Sequence, residues 1–420
     1  MDMKYKSLAR LFHADRSNDA FNNHEKMAAR RLEADSTFRT GIMTPLGELF
    51  AATPRDTAML TERVLLAERR VSRLWNQIPG VMRWDYIRHS ISEELFATNE
   101  MEGVRSTRKE TQNAVSVAER ARKEGDGSKA RFSEFAKLYL NLADEDFALP
   151  RDISDIRDIY DKVVLDEIDE NDKPDGDLFR RHDVEIQGPR GTAIHTGISG
   201  ESSIASLLTD MIHLASSDEI PRLQSAIMSH FLFEYVHPFY DGNGRTGRYL
   251  LALYLNRDLT MPTVLSLSRT IAERKNAYYK AFAEAEDTLN CGELTFFVNT
   301  VLGFIQQAQD ELIDELGVKV DQLDKGAVVC RRLAERHGLS GNALSLLYAV
   351  VQEELFDSFK SMSLDDAANH LRLSKQSARK YVGELLNAGL VEQSGKRPLM
   401  IRASEPLRGI LTSGTDENAG

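Results

Sequence analysis

The chain has 420 residues, 42% of them hydrophobic and 28% charged, which gives room for two or three domains with cores of their own. A formal net charge of -12 argues against wholesale binding of nucleic acid or an anionic membrane and leaves only a local basic patch for either. Cys291 and Cys330 lack C-x-x-C spacing and read as reduced structural thiols; with no charged-then-apolar leader and no bilayer-length apolar run, the expectation is a cytoplasmic protein.

Residues 1–60 hold scattered turn formers and no clear period. Over 61–78, Val64, Leu65, Ala67, Val71 and Leu74 recur at three- and four-residue steps beside a charged face, which predicts a helix. A second helix is expected over 84–97. Residues 106–142 read as charged helix broken at Gly125-Asp126-Gly127, and 166–177 as an acidic surface loop. The β-like runs 184–186 and 192–195, joined by Gln187-Gly188-Pro189-Arg190-Gly191, form a hairpin pattern. Helices resume from Ser202 to near Glu315. Within 221–236, Leu223, Ile227, Phe231 and Tyr235 are four apart behind Pro221, a residue suited to a first turn. Residues 245–255 are apolar nearly all round, as in a buried central helix.

The C-terminal stretch reads as a separate module. Ser363 and Asp366 resemble a capping box ahead of Ala367, Ala368 and Leu371. Ser374 can cap a second helix, Gly389 ends it, and 390–393 with 399–402 make a hairpin. This order resembles a winged helix-turn-helix. Lys375, Gln376, Arg379 and Lys380 would project from its second helix, with Lys396 and Arg397 at the wing tip. Across 361–403 seven basic residues outnumber four acidic ones, which favours phosphate contact in a DNA groove. A protein-binding role stays open.

The chemistry concentrates in His237-Pro238-Phe239-Tyr240-Asp241-Gly242-Asn243-Gly244-Arg245-Thr246-Gly247-Arg248. Backbone N–H groups of Gly242, Asn243 and Gly244, where a loop enters a helix, can cradle phosphate oxygens. Arg245 and Arg248 share a helix face and can engage neighbouring phosphates. Asp241 offers the hard oxygen that Mg²⁺ on a nucleotide prefers. His237 can accept a proton near neutral pH. Phe239 reads as a core anchor.

The whole run matches H-P-F-x-D-G-N-G-R-x-x-R and resembles the Fic-domain family over about residues 84–307. The resemblance implies a mainly α fold: a Fic helical core with a small β-hairpin flap, followed here by the winged helix-turn-helix. It implies transfer of AMP from ATP to a Ser, Thr or Tyr hydroxyl of a protein, possible self-modification included. His237 would be the general base, Asp241 the Mg²⁺ ligand, Gly242, Asn243 and Gly244 the α/β-phosphate cradle, and Arg245 and Arg248 the β/γ clamp. Kinase-type relatives carry a lysine where Gly244 stands.

Thr98-Asn99-Glu100-Met101-Glu102-Gly103 places Thr98 and Glu102 on one helical face before a glycine stop, a pattern a surface helix end also produces. By likeness it is the family's [S/T]-x-x-x-E-[G/N] inhibitory helix, of the class in which the brake precedes the core, with Glu102 on Arg248. The same glutamate could instead activate water to remove AMP. A DNA-binding regulator that senses ATP is the third reading. Tyr278 and Tyr279 are candidates to border the adenine, His182 and His195 flank the flap, and the flap edge could align an extended target by β-augmentation. The expected division is 1–105 helical with the brake, 106–315 catalytic, 316–403 linker helices and winged helix, and 404–420 without order. Homo-oligomerisation stays open.

Overall fold

The computed structural model describes residues 5–125, 128–144, 146–164, 167–187, 193–356, 361–396 and 399–413. The fold is mainly helical with small sheets, and the chain divides into two compact units: Met1–Arg70 with Ile87–Glu311, and Val71–Tyr86 with Leu312–Gly420. Among the described residues no helix is long and apolar enough to cross a membrane.

The chain opens with α1 (Leu8–Ala14), α2 (Ala20–Leu32) and an antiparallel hairpin of β1 (Thr37–Thr44) and β2 (Gly47–Ala52). Most of β1 is half-buried or exposed, so its sequence carries no inside–outside alternation and pattern reading leaves it unassigned. Helices α3 (Arg55–Gln77) and α4 (Gly80–Met101) both outrun the expected spans, α4 far enough to include Thr98. A capping box, Thr107 with Glu110, starts α5 (Arg108–Glu124), and left-handed Gly125 stops it; the rest of the predicted break, 126–127, lies outside the described residues. Helix α6 (Ser133–Ala143) and α7 (Ile153–Val163) follow, the latter capped by Asp152.

The expected hairpin is present as β3 (Glu185–Gln187) and β4 (Ala193–Thr196), antiparallel with Ile186 opposite His195; its tip, 188–192, lies outside the described residues. Next come α8 (Glu201–Ala215), α9 (Arg222–Val236) and α10 (Asn243–Leu255), then α11 (Met261–Leu265), α12 (Leu267–Glu273), α13 (Lys275–Ala285) and the long α14 (Thr295–His337). Helices α9 and α10 are buried on nearly every side, α10 as its apolar run 245–255 predicts and α9 beyond the one face its four-residue spacing marks. Each buried Leu, Ile or Phe there stabilises the fold by roughly 1.5–3 kcal/mol, so the loop between them hangs from two rigid supports.

In the second unit, α15 (Gly341–Phe356) and β5 (Met362–Ser363) precede α16 (Leu364–Leu371) and α17 (Lys375–Asn387). Then β6 (Val391–Lys396) and β7 (Leu399–Ala403) close an antiparallel sheet of order β5-β7-β6. Both predicted caps form: Ser363 with Asp366 reciprocally, and Ser374 on Ser377 N–H. Ala343, Leu346, Leu347, Ala378, Leu385 and Ile401 form the centre of its core. Arg397 at the hairpin tip lies outside the described residues. The stretch 404–420, expected to lack order, carries helix α18 (Glu405–Ser413), held by Leu407, which is fully buried.

Candidate active site

His237 ends α9 in the left-handed region, φ 51° and ψ 64°, a conformation uncommon for any residue with a Cβ. Its N–H still bonds Phe233 O at 3.0 Å, while its carbonyl accepts from Arg180 Nε at 2.7 Å. The imidazole Nδ1 lies 3.4 Å from Glu234 O. A carbonyl only accepts, so Nδ1 carries the proton and Nε2 keeps its lone pair, the tautomer a general base needs. Burial lowers the His237 pKa to about 4, and the neighbouring His195 ring, with centroids 5.9 Å apart, acts in the same direction. The ring is therefore neutral at pH 7. His195 itself reaches in from β4, its Nδ1 2.9 Å from Glu286 Oε2 and its Nε2 3.0 Å from Tyr235 O.

The loop after His237 is fixed from below. Phe239 is fully buried and stacks on Tyr160 at 3.6 Å between ring centroids, the anchoring expected of it. Asn243 Oδ1 accepts from Phe239 N–H at 2.9 Å and its Nδ2 donates to Phe239 O at 2.8 Å, so this side chain serves the loop and leaves phosphate contact to the backbone. Gly242 has φ 81°, and any Cβ there would run into Val164 and Tyr160. By helix geometry the first N–H groups of α10 have no intrahelical acceptor, and the dipole behind them favours an anion. Asp241 is exposed at the mouth of the loop, with Oδ1 accepting from Gly242 N–H at 2.6 Å. Magnesium on a nucleotide takes one or two protein carboxylates and fills its remaining positions with phosphate and water, a demand one exposed aspartate can meet.

The two arginines, three apart on α10, have different partners. Arg245 is buried with Nη1 2.5 Å from Glu167 Oε2, and Arg131 flanks the same carboxylate at 3.2 Å. Burial raises the Glu167 pKa in spite of both guanidiniums. So paired, Arg245 has Nη1 committed to Glu167, while its buried Nε has no hydrogen-bond partner among the described residues. Arg248 turns to α4: Nε donates to Thr98 Oγ1 at 2.8 Å, Nη2 to Thr98 O at 3.1 Å, and Nη2 lies 2.7 Å from Glu102 Oε1. Burial is the largest single influence on Arg248 and lowers its pKa, but the charges of Glu102, Tyr278 and Glu234 and the Glu102 hydrogen bond together outweigh it, and the net shift is upward. Lys275 Nζ donates to Met101 O at 2.7 Å, so two cations cap the end of α4. Glu102 also sits directly against the first turn of α10, because a Cβ on Gly244 would collide with its carboxylate.

Around this centre lie groups that local sequence does not single out. Glu234, half-buried against Gly247 of α10, has its pKa pushed up to about 8 by desolvation of its carboxylate. Buried His230 takes the Tyr278 hydroxyl on Nε2 at 2.7 Å and faces Gly247 O with Nδ1 at 3.1 Å, so it is neutral and protonated on Nδ1. Tyr278 is a core residue whose hydroxyl is claimed by His230. Tyr279 is the exposed member of the pair, with Lys275 5.6 Å from its ring centroid. His182 stays on the surface, 3.3 Å from Asp175.

Residues 150–255 match the Fic/DOC family, a narrower span than 84–307 but one that runs from just before α7 to the end of α10 and includes the whole motif. The protein adenylyltransferase fic-1 of Caenorhabditis elegans is 30% identical over 148 residues, which is 34% of this chain and 27% of that protein. Its Caenorhabditis briggsae counterpart is 33% identical over 94 residues, 22% of this chain and 17% of that one. The chain therefore spans less than a third of the length of these curated relatives. Among solved structures, a Fic family protein from Desulfovibrio desulfuricans G20 covers 82% of this chain, with 96% of its own covered, at 17% identity and a TM-score of 0.46. Fic-1 from C. elegans (residues 134–508) covers 73% here and 79% of itself at 18% identity and a TM-score of 0.45.

Proposed function

We propose that this protein transfers AMP from ATP to a Ser, Thr or Tyr hydroxyl of a protein, itself included, and that α4 holds the activity down. The observation that carries the reading is the Glu102 carboxylate lodged between Gly244 and Arg248, where a nucleotide phosphate would otherwise meet loop and guanidinium. In the mechanism this supports, the target hydroxyl gives its proton to His237 Nε2 as its oxygen attacks the α-phosphorus. The bond from that phosphorus to the bridging oxygen breaks, and pyrophosphate leaves in line. Arg248, freed from Glu102, holds the outer phosphates, while the N–H groups of Asn243 and Gly244 hold the inner ones. Magnesium bound at Asp241 would neutralise charge that builds on the departing pyrophosphate. Arg245 stays with Glu167 and braces the loop. The relatives named as adenylyltransferases support the same chemistry.

ATP labelled on the α-phosphate tests this. Label is expected on protein weakly with the wild type, at least ~10-fold more with Glu102→Gly, and not with the Glu102→Gly/His237→Ala double variant, since a general base alone contributes ~10²–10⁴-fold. Equal labelling by wild type and Glu102→Gly would refute the brake, and γ-label on protein would refute AMP transfer. A second reading has support from the same contact: a carboxylate set against the phosphate loop could activate water to remove AMP from a modified protein. Loss of pre-attached label on incubation with wild type, and not with Glu102→Gly, would favour it. In the second unit, the order helix, turn, helix, hairpin supports a winged helix. Exposed Gln376, Arg379 and Lys380 suit contact with DNA phosphates, although Lys375 is already paired with Asp365 at 2.7 Å.

A further inference from the structure

Arg180 lies between α7 and the β3–β4 hairpin and is fully buried, with none of its guanidinium on a carboxylate among the described contacts. Its fork ends on four backbone carbonyls. Nε donates to His237 O at 2.7 Å and Nη2 to Val236 O at 3.2 Å. Those carbonyls belong to the two peptide planes on either side of the His237 Cα, so one rigid group fixes both. Nη1 donates to His182 O at 2.8 Å and Nη2 also to Ile198 O at 2.8 Å, just before β3 and just after β4. The backbone adds to the grip: Arg180 N–H bonds Pro238 O, and Ile198 N–H bonds Val236 O, each at 3.1 Å. Gly197 makes the approach possible, because a Cβ there would strike the Arg180 guanidinium and come within 3.1 Å of His237 Cβ.

A buried guanidinium without an ion-pair partner is costly unless its N–H groups are satisfied, and here four oriented carbonyl dipoles do so. Lysine cannot substitute. Its three donors diverge from one nitrogen, whereas these carbonyls lie along the edges of a planar fork. The left-handed His237 backbone would otherwise relax towards commoner conformations and swing the imidazole.

We infer that Arg180 is the positioning residue of the proposed transfer, setting the base and both roots of the hairpin in one frame so that a hydroxyl presented along the hairpin edge meets His237 Nε2. This rests on the adenylyl-transfer reading. Arg180 touches neither reacting atom; it acts through the backbone on each side of the base. Its loss should lower kcat, leave nucleotide affinity unchanged, and weaken the alignment of the target, because Arg248 and the α10 N-terminus that hold the nucleotide are outside its reach.

The experiment uses the full chain in the Glu102→Gly background, comparing Arg180 with Arg180→Lys and Arg180→Met. Affinity for a fluorescent ATP analogue, AMP transfer, and the His237 ring resonance against pH by NMR are measured on each. Expected are nucleotide affinities within twofold of the parent and a kcat lower by ~10²-fold in both variants, the loss that a misplacement of about 1 Å brings. The His237 titration should move upward in Arg180→Met, which loses a positive neighbour; of the other groups facing that ring, His195 on β4 and the Glu234 carbonyl are unchanged, and Glu102 at the end of α4 is absent from parent and variants alike. Arg180→Lys transferring within threefold of the parent, or a loss confined to nucleotide affinity, would overturn the inference. If Arg180→Met does not fold, Arg180→Lys decides by its kcat. If the Arg180 parent itself transfers no AMP, the functional reading fails, and a His237 titration identical in the parent and Arg180→Met overturns the positioning role separately.

Discussion

His237 shows how one residue combines a strained backbone with a tuned side chain. An imidazole with a pKa near 4 is fully available at pH 7 but is a weak base, since proton affinity falls with pKa. The negative charge of a bound triphosphate favours the imidazolium and restores part of that basicity at the moment of use. Burial is the largest cause of the depression and His195 the next. The base acts unprotonated, so activity is present above its pKa and is lost as pH falls through it. In brake-released protein, His195→Gln should therefore shift the acid limb of the kcat–pH profile upward while the plateau changes by less than about threefold, consistent with a change in ionisation and not in the group that takes the proton. A limb that stays in place, or moves down, would show that His195 only packs there.

At the scale of the element, α4 is a ladder with four-residue rungs. Glu94, Thr98 and Glu102 fall on one face; Glu94 is fully buried and accepts from Tyr139 Oη at 3.0 Å and from Ser268 Oγ and N–H. Burial raises its pKa to about 7 against those three donors, and Glu234 of α9 goes to about 8 for the same reason. Both folded values exceed the usual carboxylate value. Their contribution to stability is thus fully present below a pH of about 4.5 and is lost progressively as pH rises to about 7 for Glu94 and about 8 for Glu234. Glu94→Gln should flatten the fall of stability between these limits by an amount on the order of 1–3 kcal/mol, seen as a flatter Tm–pH curve, and lower the baseline because its amide would face the Ser268 N–H. An unchanged slope in thermal melts from pH 5 to 8 would assign the titration elsewhere. The helices themselves were legible in the sequence wherever apolar residues repeat, as in 221–236. The extra turn of α4 that brings Thr98 into register was not, because its caps come from Arg248 and Lys275, far along the chain.

For the whole molecule, the motif could be read but not its restraints. His237, Asp241, Gly242 and Arg248 announce themselves within twelve residues, whereas Glu167 meets Arg245 across 78 positions and Arg180 meets His237 across 57. No local period encodes such pairs, since a lone Glu or Arg in a loop looks like any solvated charge until the fold buries it. The likeness to an inhibitory helix did place Glu102 opposite Arg248, and that contact links stability to ligand. Among the described residues, Glu102→Gly leaves the buried Arg248 with Thr98 as its hydrogen-bond partner. Losing one partner of a buried pair costs about 3–5 kcal/mol, and the 25% exposure of the Glu102 side chain reduces this to roughly 1–3 kcal/mol. The ligand-free variant should therefore melt several degrees below the wild type. Mg²⁺-ATP then stabilises the two proteins unequally. In the wild type its outer phosphate must displace a carboxylate to reach Arg248, while in Glu102→Gly it supplies the missing negative charge. Saturating nucleotide stabilises by RT ln(1 + [L]/Kd), ~2.7 kcal/mol at a hundredfold excess over Kd, so the variant should gain more in Tm than the wild type and close most of the gap. Calorimetric scans of both proteins with and without Mg²⁺-ATP measure this directly, and an equal gain for the two would mean that Glu102 does not compete with the nucleotide.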